Sequence, residues 1–247
     1  MNKIIGISGR KQAGKSTVAN YINGDVLKRL EMVRDFCINE NGDLVIHTEN
    51  QSGVLGYGIL DTTRKDNAYR EYADREIWPS VKTYHFADTL KAMCITLFGL
   101  SPTSVYGNDR QKNVKTNFLW EDMPSNPQYK SGSMSTREFL EYFGTEIVRC
   151  ISTNAWVLST INTVIAEGST LAIIPDVRFP NEVEAIQDNG GVVIRLARDA
   201  YHSDNQCENA LDKENFDWER FDMVIDNTEL TLPELCTQLS SIQHLWN

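Results

Sequence analysis

A glycine-rich stretch near the N-terminus constrains the fold of this chain more than any other feature. Residues 9–16 read G-R-K-Q-A-G-K-S and match the phosphate-loop pattern G-x-x-x-x-G-K-S/T at every fixed position. The apolar run of residues 3–8 predicts a short buried strand, and Val18, Ala19 and Ile22 predict the apolar side of a helix. Because strand, loop and helix follow in the order that the motif requires, the stretch predicts a site for nucleotide phosphates.

The residue types at the fixed positions explain how the loop would hold phosphate. Gly9 and Gly14 have no Cβ, so the backbone can bend closely around an anion. The N–H groups of the loop and of the first helical turn point toward that anion. We expect Lys15 to reach the β- and γ-phosphates and the Ser16 hydroxyl to hold Mg²⁺. The predicted phosphate-binding residues are Gly9, Ala13, Gly14, Lys15, Ser16 and Thr17.

Composition and charge narrow the possible partners. The 247 residues include 24 Lys and Arg against 34 Asp and Glu, which gives a net charge of −10. A chain this acidic repels polyanions, so a nucleic acid polymer is not expected as a partner. No apolar run is long enough to span a membrane, and the first one is too short for a signal peptide. Five dispersed cysteines predict reduced thiols in a cytoplasmic protein; the oligomeric state stays open, a homodimer included.

The stretch from about 24 to 82 differs in residue pattern from the strand, loop and helix that precede it and is predicted to be an insertion on a core domain. Residues 36–40 and 43–47 flank Asn41-Gly42, a dipeptide that favours a type I′ turn, so a β-hairpin is predicted. The polar residues 66–78 are consistent with an exposed helix. A surface elaboration and a functional insertion are both open readings of this stretch.

Polar residues follow the next predicted strand, residues 82–86. Asp88 and Lys91 open a helix that is expected to end at Gly99. In an open α/β sheet, a helix N-terminus after a strand lies at the ligand-facing edge. The two residues are therefore candidates for substrate binding, and a helix cap with a solvated lysine is the alternative. Residues 101–134 are predicted to form a long loop, with or without a short helix.

A second candidate surface lies on the helix that opens with the capping box Ser135 to Glu138. Arg137, Glu141, Thr145 and Arg149 recur at steps of four and form a polar stripe. The stripe is either a substrate-binding face, with an arginine on a phosphate, or an ordinary surface. Trp156 follows; the residues alone favour a place in the core over stacking on a base.

A third group follows the buried strand of residues 170–175. Asp176 would lie at the carboxyl end of that strand, which suits a Walker-B-like role near Mg²⁺. Arg178 would neutralise a transferring phosphoryl group. Arg198 opens a polar stretch to about residue 213 that is either a lid over the nucleotide or a solvated loop. Strands that alternate with helices predict a three-layer α/β fold with a parallel sheet.

Taken together, five segments resemble one family, the bacteriophage-type deoxynucleoside monophosphate kinases. They are the phosphate loop and the segments F-A-D-T-L-K, T-R-E-F-L-E-Y-F-G-T-E-I-V-R, D-V-R-F-P-N-E and D-M-V-I-D-N. The resemblance runs from residue 1 to about 239 and is weakest between about 24 and 80. It implies a P-loop nucleoside-monophosphate-kinase fold, related to adenylate kinase and dephospho-CoA kinase. We expect a single such domain over residues 1–247, with the β-hairpin/loop insertion at 24–82 and the lid-like segment at 198–213.

The resemblance also implies an activity, the ATP-dependent phosphorylation of deoxynucleoside 5′-monophosphates to diphosphates, assisted by Mg²⁺. The phosphoryl group would pass by direct in-line transfer. The reaction would take place in the host cytoplasm if the chain is encoded by a phage. It implies that Arg137 and Glu141 bind the acceptor and that Trp156 stacks on its base. Where the family commonly has Gln, this chain has Glu141-Tyr142, which leaves base preference open. The implied catalytic residues are Lys15, Asp176, Arg178 and Arg198, with Ser16 and Asp176 at the metal. The implied substrate-binding residues are Asp88, Lys91, Arg137, Glu141, Thr145, Arg149 and Trp156.

Two other functions remain open at this point. One is a P-loop kinase of another small molecule, for example a dephospho-CoA-like substrate. The other is a non-catalytic regulatory protein that binds ATP. The presence together of Lys15, Ser16, Asp176 and Arg178 argues against the second, because a protein that only binds nucleotide does not need all four.

Overall fold

The computed structural model describes residues 3–49, 53–64, 66–126, 129–198 and 209–247 of the chain. The chain divides into two compact units, Met1–His85 with Ile161–Asn247 and Phe86–Thr160. The predicted single domain over residues 1–247, with its insertion and lid, stays a prediction.

The elements are named in chain order. The first unit opens with β1 (Lys3–Ser8), α1 (Lys15–Arg29), β2 (Asp35–Ile38), β3 (Leu44–Glu49), β4 (Leu55–Ile59), α2 (Asn67–Glu76) and β5 (Val81–Thr83). The second unit contains α3 (Ala87–Phe98), α4 (Pro102–Tyr106), α5 (Asp109–Lys112), β6 (Lys115–Leu119), β7 (Ser133–Ser135), α6 (Thr136–Glu141), a π-helix (Tyr142–Val148) and α7 (Arg149–Ile151). The remaining elements are α8 (Ala155–Glu167), within which the division falls, and then β8 (Leu171–Val177), α9 (Pro180–Asp188), β9 (Val192–Leu196), β10 (Met223–Ile225) and α10 (Leu232–Ser241).

The first unit is built on a five-stranded parallel sheet with the order β10-β9-β1-β8-β5. Its central strand is almost wholly buried, as are β8 and β9, which explains why these strands read as continuous apolar runs. Ile5 of β1 lies opposite Ile173 on one side and Val192 on the other. Since all five strands run the same way, their carboxyl ends share one edge, where the loop after β1 lies.

Helices cover both faces of this sheet. Ile5 and Ile7 of β1 pack in one apolar cluster with Ile22 of α1 and Leu239 of α10. The alternate residue Gly6 points to the other face, where a Cβ would lie 2.7 Å from Ile186 of α9. Each fully buried isoleucine or leucine stabilises such a core by about 1.5–3 kcal/mol. The predicted three-layer parallel α/β fold is confirmed.

A smaller antiparallel sheet, β2-β3-β4, packs against α1. The predicted hairpin is confirmed, but the predicted type I′ turn is wrong. Gly42 has φ 82°, whereas Asn41 is not among the described residues with positive φ, and the Gly42 N–H donates to Asn39 O at 2.8 Å. The Asn39 carboxamide oxygen accepts from the N–H of Asn41 and of Asp43, which holds a longer loop open. Furthermore, α1 runs to Arg29, so the predicted start of the insertion near residue 24 falls inside this helix.

The second unit has its own apolar core, which includes Cys94 of α3, Trp120, Met134 and Phe139 of α6. The predicted long loop over residues 101–134 does contain short helices, α4 and α5, but the prediction is wrong in part, since the stretch also contains strand β6 and reaches β7. The predicted regular helix after Ser135 changes at Tyr142 into the π-helix. Two donors converge on one carbonyl there: Gly144 O accepts from the Arg149 N–H and, at 3.1 Å, from the Trp156 indole N–H.

Within the described parts of the chain, no helix combines the length and the apolar character needed to cross a membrane.

The packing of the small sheet on α1 depends on a glycine, which gives a stability prediction. A Cβ on Gly24 would lie 2.7 Å from both Leu44 Cδ1 and the Phe36 ring atom Cγ. We expect Gly24→Ala to lower the free energy of unfolding by about 1–3 kcal/mol, because overpacking exceeds the gain of about 1 kcal/mol in helix propensity. Urea unfolding measures this change. The matched control is Gly58→Ala, where a Cβ has no atom within 4 Å; equal stabilities of the two variants would contradict the prediction.

Candidate functional site

The loop between β1 and α1 presents an uncapped helix N-terminus. Gly14 is the N-cap residue with φ 96°, a left-handed conformation that strains any residue with a Cβ. Gln12 also adopts a left-handed φ of 65°, which the sequence did not indicate. The N-cap has no side chain to accept from the first turn, and that turn contains no acidic residue. The N–H groups of this turn are therefore not capped by the N-cap side chain, which is the arrangement that favours an anion at a helix N-terminus.

Lys15 lies along the same loop. Its Nζ donates to Gly9 O at 2.6 Å and to Arg10 O at 2.7 Å, so the ammonium group stands beside the loop carbonyls. Ser16 is exposed, and Thr17 is half-buried under the β2–β3 turn, where a Cβ on Gly42 would overlap the Thr17 hydroxyl. The six predicted phosphate-binding residues thus fall in one loop and one helical turn.

Asn227 holds this loop from behind and was not among the predicted site residues. Its side chain is 1% exposed; its Nδ2 donates to Ala13 O at 2.8 Å, and its Oδ1 accepts from the Arg198 N–H at 3.0 Å. The Arg198 guanidinium donates to Asn227 O and Leu230 O at 2.9 and 3.0 Å. Arg198 therefore ties the end of β9 to the segment after β10, and its predicted catalytic role stays a prediction. Asn227 lies two residues after the end of β10, and a polar residue just beyond a strand is the signal that could have pointed to it.

A buried ionic network lies beside the loop. Asp212, which is 6% exposed, accepts from Arg10 Nη2 at 2.7 Å and from Arg195 Nη2 at 3.1 Å. Arg195 also donates to the Ser8 hydroxyl at 3.0 Å and stacks on the Trp218 ring at 4.9 Å. The network joins β1, the phosphate loop and β9 to the end of the predicted lid segment. A lone arginine inside the apolar strand V-V-I-R-L is the signal for it.

A polar pocket of about 280 Å³ opens next to this network. Four cationic side chains contribute to its wall, and the aromatic ring of Trp218 provides a flat surface. Of the predicted lid, residues 199–208 lie outside the described residues. The pocket is lined by Arg10, Arg195, Ala197, Arg198, Asp212, Lys213, Glu214, Trp218, Asp226 and Thr228.

The end of β8 carries the other predicted catalytic residues. Asp176 is half-buried within the strand, one residue before its end, and Arg178 is exposed in the turn that follows. Glu182, which is 2% exposed, fixes this turn because its Oε2 accepts from the N–H of Arg178 at 2.7 Å and of Phe179 at 3.1 Å. Glu182 thus sets the backbone from which Arg178 projects, a role that the sequence did not indicate.

Two oxygen donors in this unit suit a magnesium ion. The Ser16 hydroxyl lies in the first turn after β1, and the Asp176 carboxylate lies on the neighbouring strand, where Ser8 pairs with Val177. Among the described residues there is no cluster of three or more His, Cys, Asp or Glu side chains that could hold a metal alone. Mg²⁺ usually takes one or two protein oxygens and keeps waters and phosphate oxygens for the rest, so a sparse site fits this ion.

The seven predicted substrate-binding residues all lie in the second unit. Lys91 Nζ stands 5.3 Å from the Tyr106 ring centroid, and Arg137 Nη2 pairs with Asp109 Oδ1 at 2.6 Å. Asp88 lies in the first turn of α3 and does not cap it, since Phe86 is the N-cap residue. Glu141 is exposed, and Thr145 and Arg149 are half-buried on the π-helix and α7. Trp156 is 5% exposed, and its N–H is bound by Gly144 O, so the ring packs as a core residue does.

Comparison with known proteins identifies a matching family and a viral relative. A family model described as deoxynucleotide monophosphate kinase matches residues 3–238. A protein of Acanthamoeba polyphaga mimivirus, named "Putative deoxynucleotide monophosphate kinase", is 27% identical over 156 residues, which cover 63% of this chain and 79% of the viral protein. The resemblance stated from the sequence motifs is confirmed.

The buried amide of Asn227 gives a testable stability contribution. Asn227→Ala leaves Ala13 O and the Arg198 N–H without these partners, so we expect the free energy of unfolding to fall by about 1–3 kcal/mol. Asn189→Ala is the matched control, because Asn189 Nδ2 donates to Ala185 O of α9, the helix that Asn189 caps, and so makes a local contact. Urea unfolding compares the two. A loss no greater than that of the control would show that the contact between β10 and the loop is dispensable.

The capping box of α6 predicts a pH dependence. Partial burial of Glu138 opposes ionisation, but hydrogen bonds from the Ser135 N–H and hydroxyl and from Lys115 outweigh it, so the pKa of Glu138 lies below its ordinary value. A lowered folded pKa means that the stabilisation is complete above the unfolded pKa of about 4.3 and is lost as pH falls through the folded pKa.

We therefore expect Glu138→Gln to lower the free energy of unfolding by about 0.5–1 kcal/mol at pH 7. The difference from wild type should shrink toward zero as the pH falls below about 4. Urea unfolding at several pH values between 7 and 3 measures it. A difference that stays constant over this range would rule out ionised Glu138 as its source.

Proposed function

Because the chain belongs to the deoxynucleotide monophosphate kinase family, we propose that it transfers the γ-phosphoryl group of ATP to deoxynucleoside 5′-monophosphates. The products are ADP and the deoxynucleoside diphosphate. The observation that carries this proposal is the complete phosphate loop at the N-terminus of α1, at the carboxyl edge of the parallel sheet. The acceptor phosphate is already an anionic nucleophile, so direct in-line transfer needs no strong general base.

In this proposal the first unit binds the donor. The N–H groups of the loop and of the first turn of α1 bind its phosphates. Lys15, which now donates to loop carbonyls, turns its ammonium group onto the β- and γ-phosphates. The exposed Arg178 offsets negative charge on the phosphoryl group in transfer, from a turn that Glu182 holds rigid. Aligning the two anions and offsetting their repulsion supplies most of the catalysis.

Ser16 and Asp176 are the residues that would hold Mg²⁺. When bound, the ion would neutralise charge on the phosphate oxygens. The exposed hydroxyl of Ser16, in the first turn of α1, and the half-buried carboxylate of Asp176, on β8, would offer oxygens to the ion.

We assign the base of the donor to the polar pocket beside Arg10. The pocket lies at the carboxyl ends of β9 and β10, and the Trp218 ring and the Arg198 side chain line it. Rings and guanidinium planes are surfaces on which a nucleobase stacks favourably. Its volume of about 280 Å³ suits one base rather than a whole nucleotide.

We assign the acceptor to the second unit. Arg137 has its ion pair with Asp109 at one Nη atom, which leaves further guanidinium N–H groups to bind the acceptor phosphate. Glu141 and Arg149 would bind the sugar and the base. For Trp156, stacking on the base stays a prediction, since burial of its ring favours a role in shaping the unit.

Two other functions are distinguished by the acceptor. A kinase of another small hydroxylated molecule would also use the phosphate loop, but it would not need Arg137 to bind an acceptor phosphate. A nucleotide-binding regulator would share the loop and show no turnover.

The test is an ADP-release assay with ATP and Mg²⁺, in which dAMP, dGMP, dCMP, dTMP and the four ribose counterparts are offered separately. We expect turnover with at least one deoxynucleotide. No turnover with any of the eight nucleotides, in folded protein that binds ATP, would contradict the proposal and leave the two alternatives.

The same assay tests the catalytic arginine. We expect Arg178→Ala to lower kcat by at least about a hundredfold, as removal of a preorganised charge donor does, with little change in thermal stability. Arg75→Ala is the matched control, because Arg75 is an exposed arginine on α2. Unchanged kcat in Arg178→Ala would remove this residue from the mechanism.

A further inference from the structure

The outer edge of β4 is an apolar strand edge on the surface of the first unit. β4 ends the order β2-β3-β4, and none of the other described strands pairs with its outer side. All five of its residues are exposed, and Leu55, Tyr57 and Ile59 are 43%, 73% and 64% exposed. A strand edge with unpaired backbone groups is a template for another strand.

The hydrogen-bond pattern shows which groups face outward. The Leu60 N–H donates to Leu44 O at 2.9 Å, and Gly58 lies opposite Ile46. Because the backbone N–H and C=O groups of successive residues point to opposite sides of a strand, those of Gly56 and Gly58 point toward β3. The N–H and C=O groups of Leu55, Tyr57 and Ile59 therefore point away from the sheet.

This edge lacks the charged residues and prolines by which proteins usually prevent an edge strand from pairing with another chain. It has no charged residue or proline from Val54 to Leu60, and a Cβ on Gly56 or Gly58 would meet no atom within 4 Å. The opposite edge of the same sheet does carry a charge, since Asp35 of β2 pairs with Lys28 at 2.7 Å. In a chain with a net charge of −10, an uncharged strand is where two copies can approach with the least repulsion.

We propose that β4 binds β4 of a second copy of this chain, antiparallel and about a twofold axis at Tyr57. In this register Tyr57 faces Tyr57 of the second copy, and Leu55 faces Ile59. Every outward N–H and C=O of the three residues then has a partner, which gives two hydrogen bonds for each of three pairs.

The side chains also favour a second copy over a different protein. Leu55, Tyr57 and Ile59 lie on one face, because alternate residues of a strand share a face. An apolar residue lies two positions before Tyr57 and another lies two positions after it. The order apolar, Tyr57, apolar is therefore the same when the strand is followed in the opposite direction, as it is in an antiparallel second copy. Such self-complementarity is what a twofold interface requires.

One strand pair buries less than the 1,200 Å² or so of a standard interface, so the association is weak. We expect a reversible dimer with a dissociation constant on the order of micromolar. The proposal does not depend on the reaction that the protein catalyses.

Sedimentation velocity of the full chain, from about 1 to 100 μM, tests the association. The wild type should shift from monomer to dimer with concentration, and Tyr57→Lys should abolish the shift because it places two like charges opposite each other at the axis. Tyr72→Lys is the matched control, since Tyr72 is an aromatic residue 51% exposed on α2. Thermal unfolding of each variant checks that the fold is retained.

Disulfide trapping tests the register, in a chain whose exposed Cys37 and Cys150 are replaced by Ser. Directly opposed Cα atoms lie about 5.5 Å apart, within reach of a disulfide, so Tyr57→Cys should form a covalent dimer. Leu55→Cys should not, because the two introduced thiols would be four residues, or about 13 Å, apart.

A chain that stays monomeric at every concentration would overturn the proposal, as would a dimer that Tyr57→Lys leaves intact. Equal cross-linking of the two cysteine variants would overturn the register about Tyr57.

Discussion

The turn from β1 into α1 is the constraint on which the rest of the first unit depends. Two left-handed residues, Gln12 and Gly14, lie in this turn, and the helix that follows begins without a side-chain cap. Each feature is unfavourable for an isolated helix, so the surrounding structure has to hold the loop in place. Asn227 does so from behind through Ala13 O, and the β2–β3 turn does so from the side of Thr17. The packing around the loop thus holds it in a conformation that an isolated helix start would not favour.

A second set of contacts that holds the loop in place is the buried ionic network beside it. Asp212 and Arg195 are both almost wholly buried, and burying ions costs several kcal/mol each unless they are well paired. Arg10 completes the pairing from the loop, so the carboxylate of Asp212 lies between two guanidinium groups. Losing the carboxylate would leave two cations facing each other, which is far more costly than losing a surface pair. The network therefore couples the conformation of the phosphate loop to the segment that begins at residue 209.

Local patterns in the sequence predicted the frame of this site well. The strand predicted over residues 3–8 agrees with β1, and the phosphate motif predicted the β1–α1 junction, because apolar runs and glycine spacing are local signals. Contacts between distant residues carry no such signal. Asn227 and Ala13 are 214 positions apart, and the π-helix depends on an indole twelve residues beyond Gly144. The sequence motif therefore predicted where the loop between strand and helix lies, while the contacts that hold this loop required the structure.

The β2-β3-β4 sheet shows how an added element can serve two surfaces. Its inner face requires Gly24 of α1, since Phe36 and Leu44 occupy the space of a Cβ there, and its turn lies over Thr17. These contacts fix β2 and β3 to the helix that starts at the phosphate loop. β4 touches none of that helix's described core positions and keeps both faces exposed. A strand that adds nothing to the core is expected to be lost or to acquire charges over time unless its edge binds something, because an open apolar edge promotes aggregation. The contacts with α1 hold β2 and β3 in place, and the exposed outer edge of β4 is the part of the sheet for which we propose a partner.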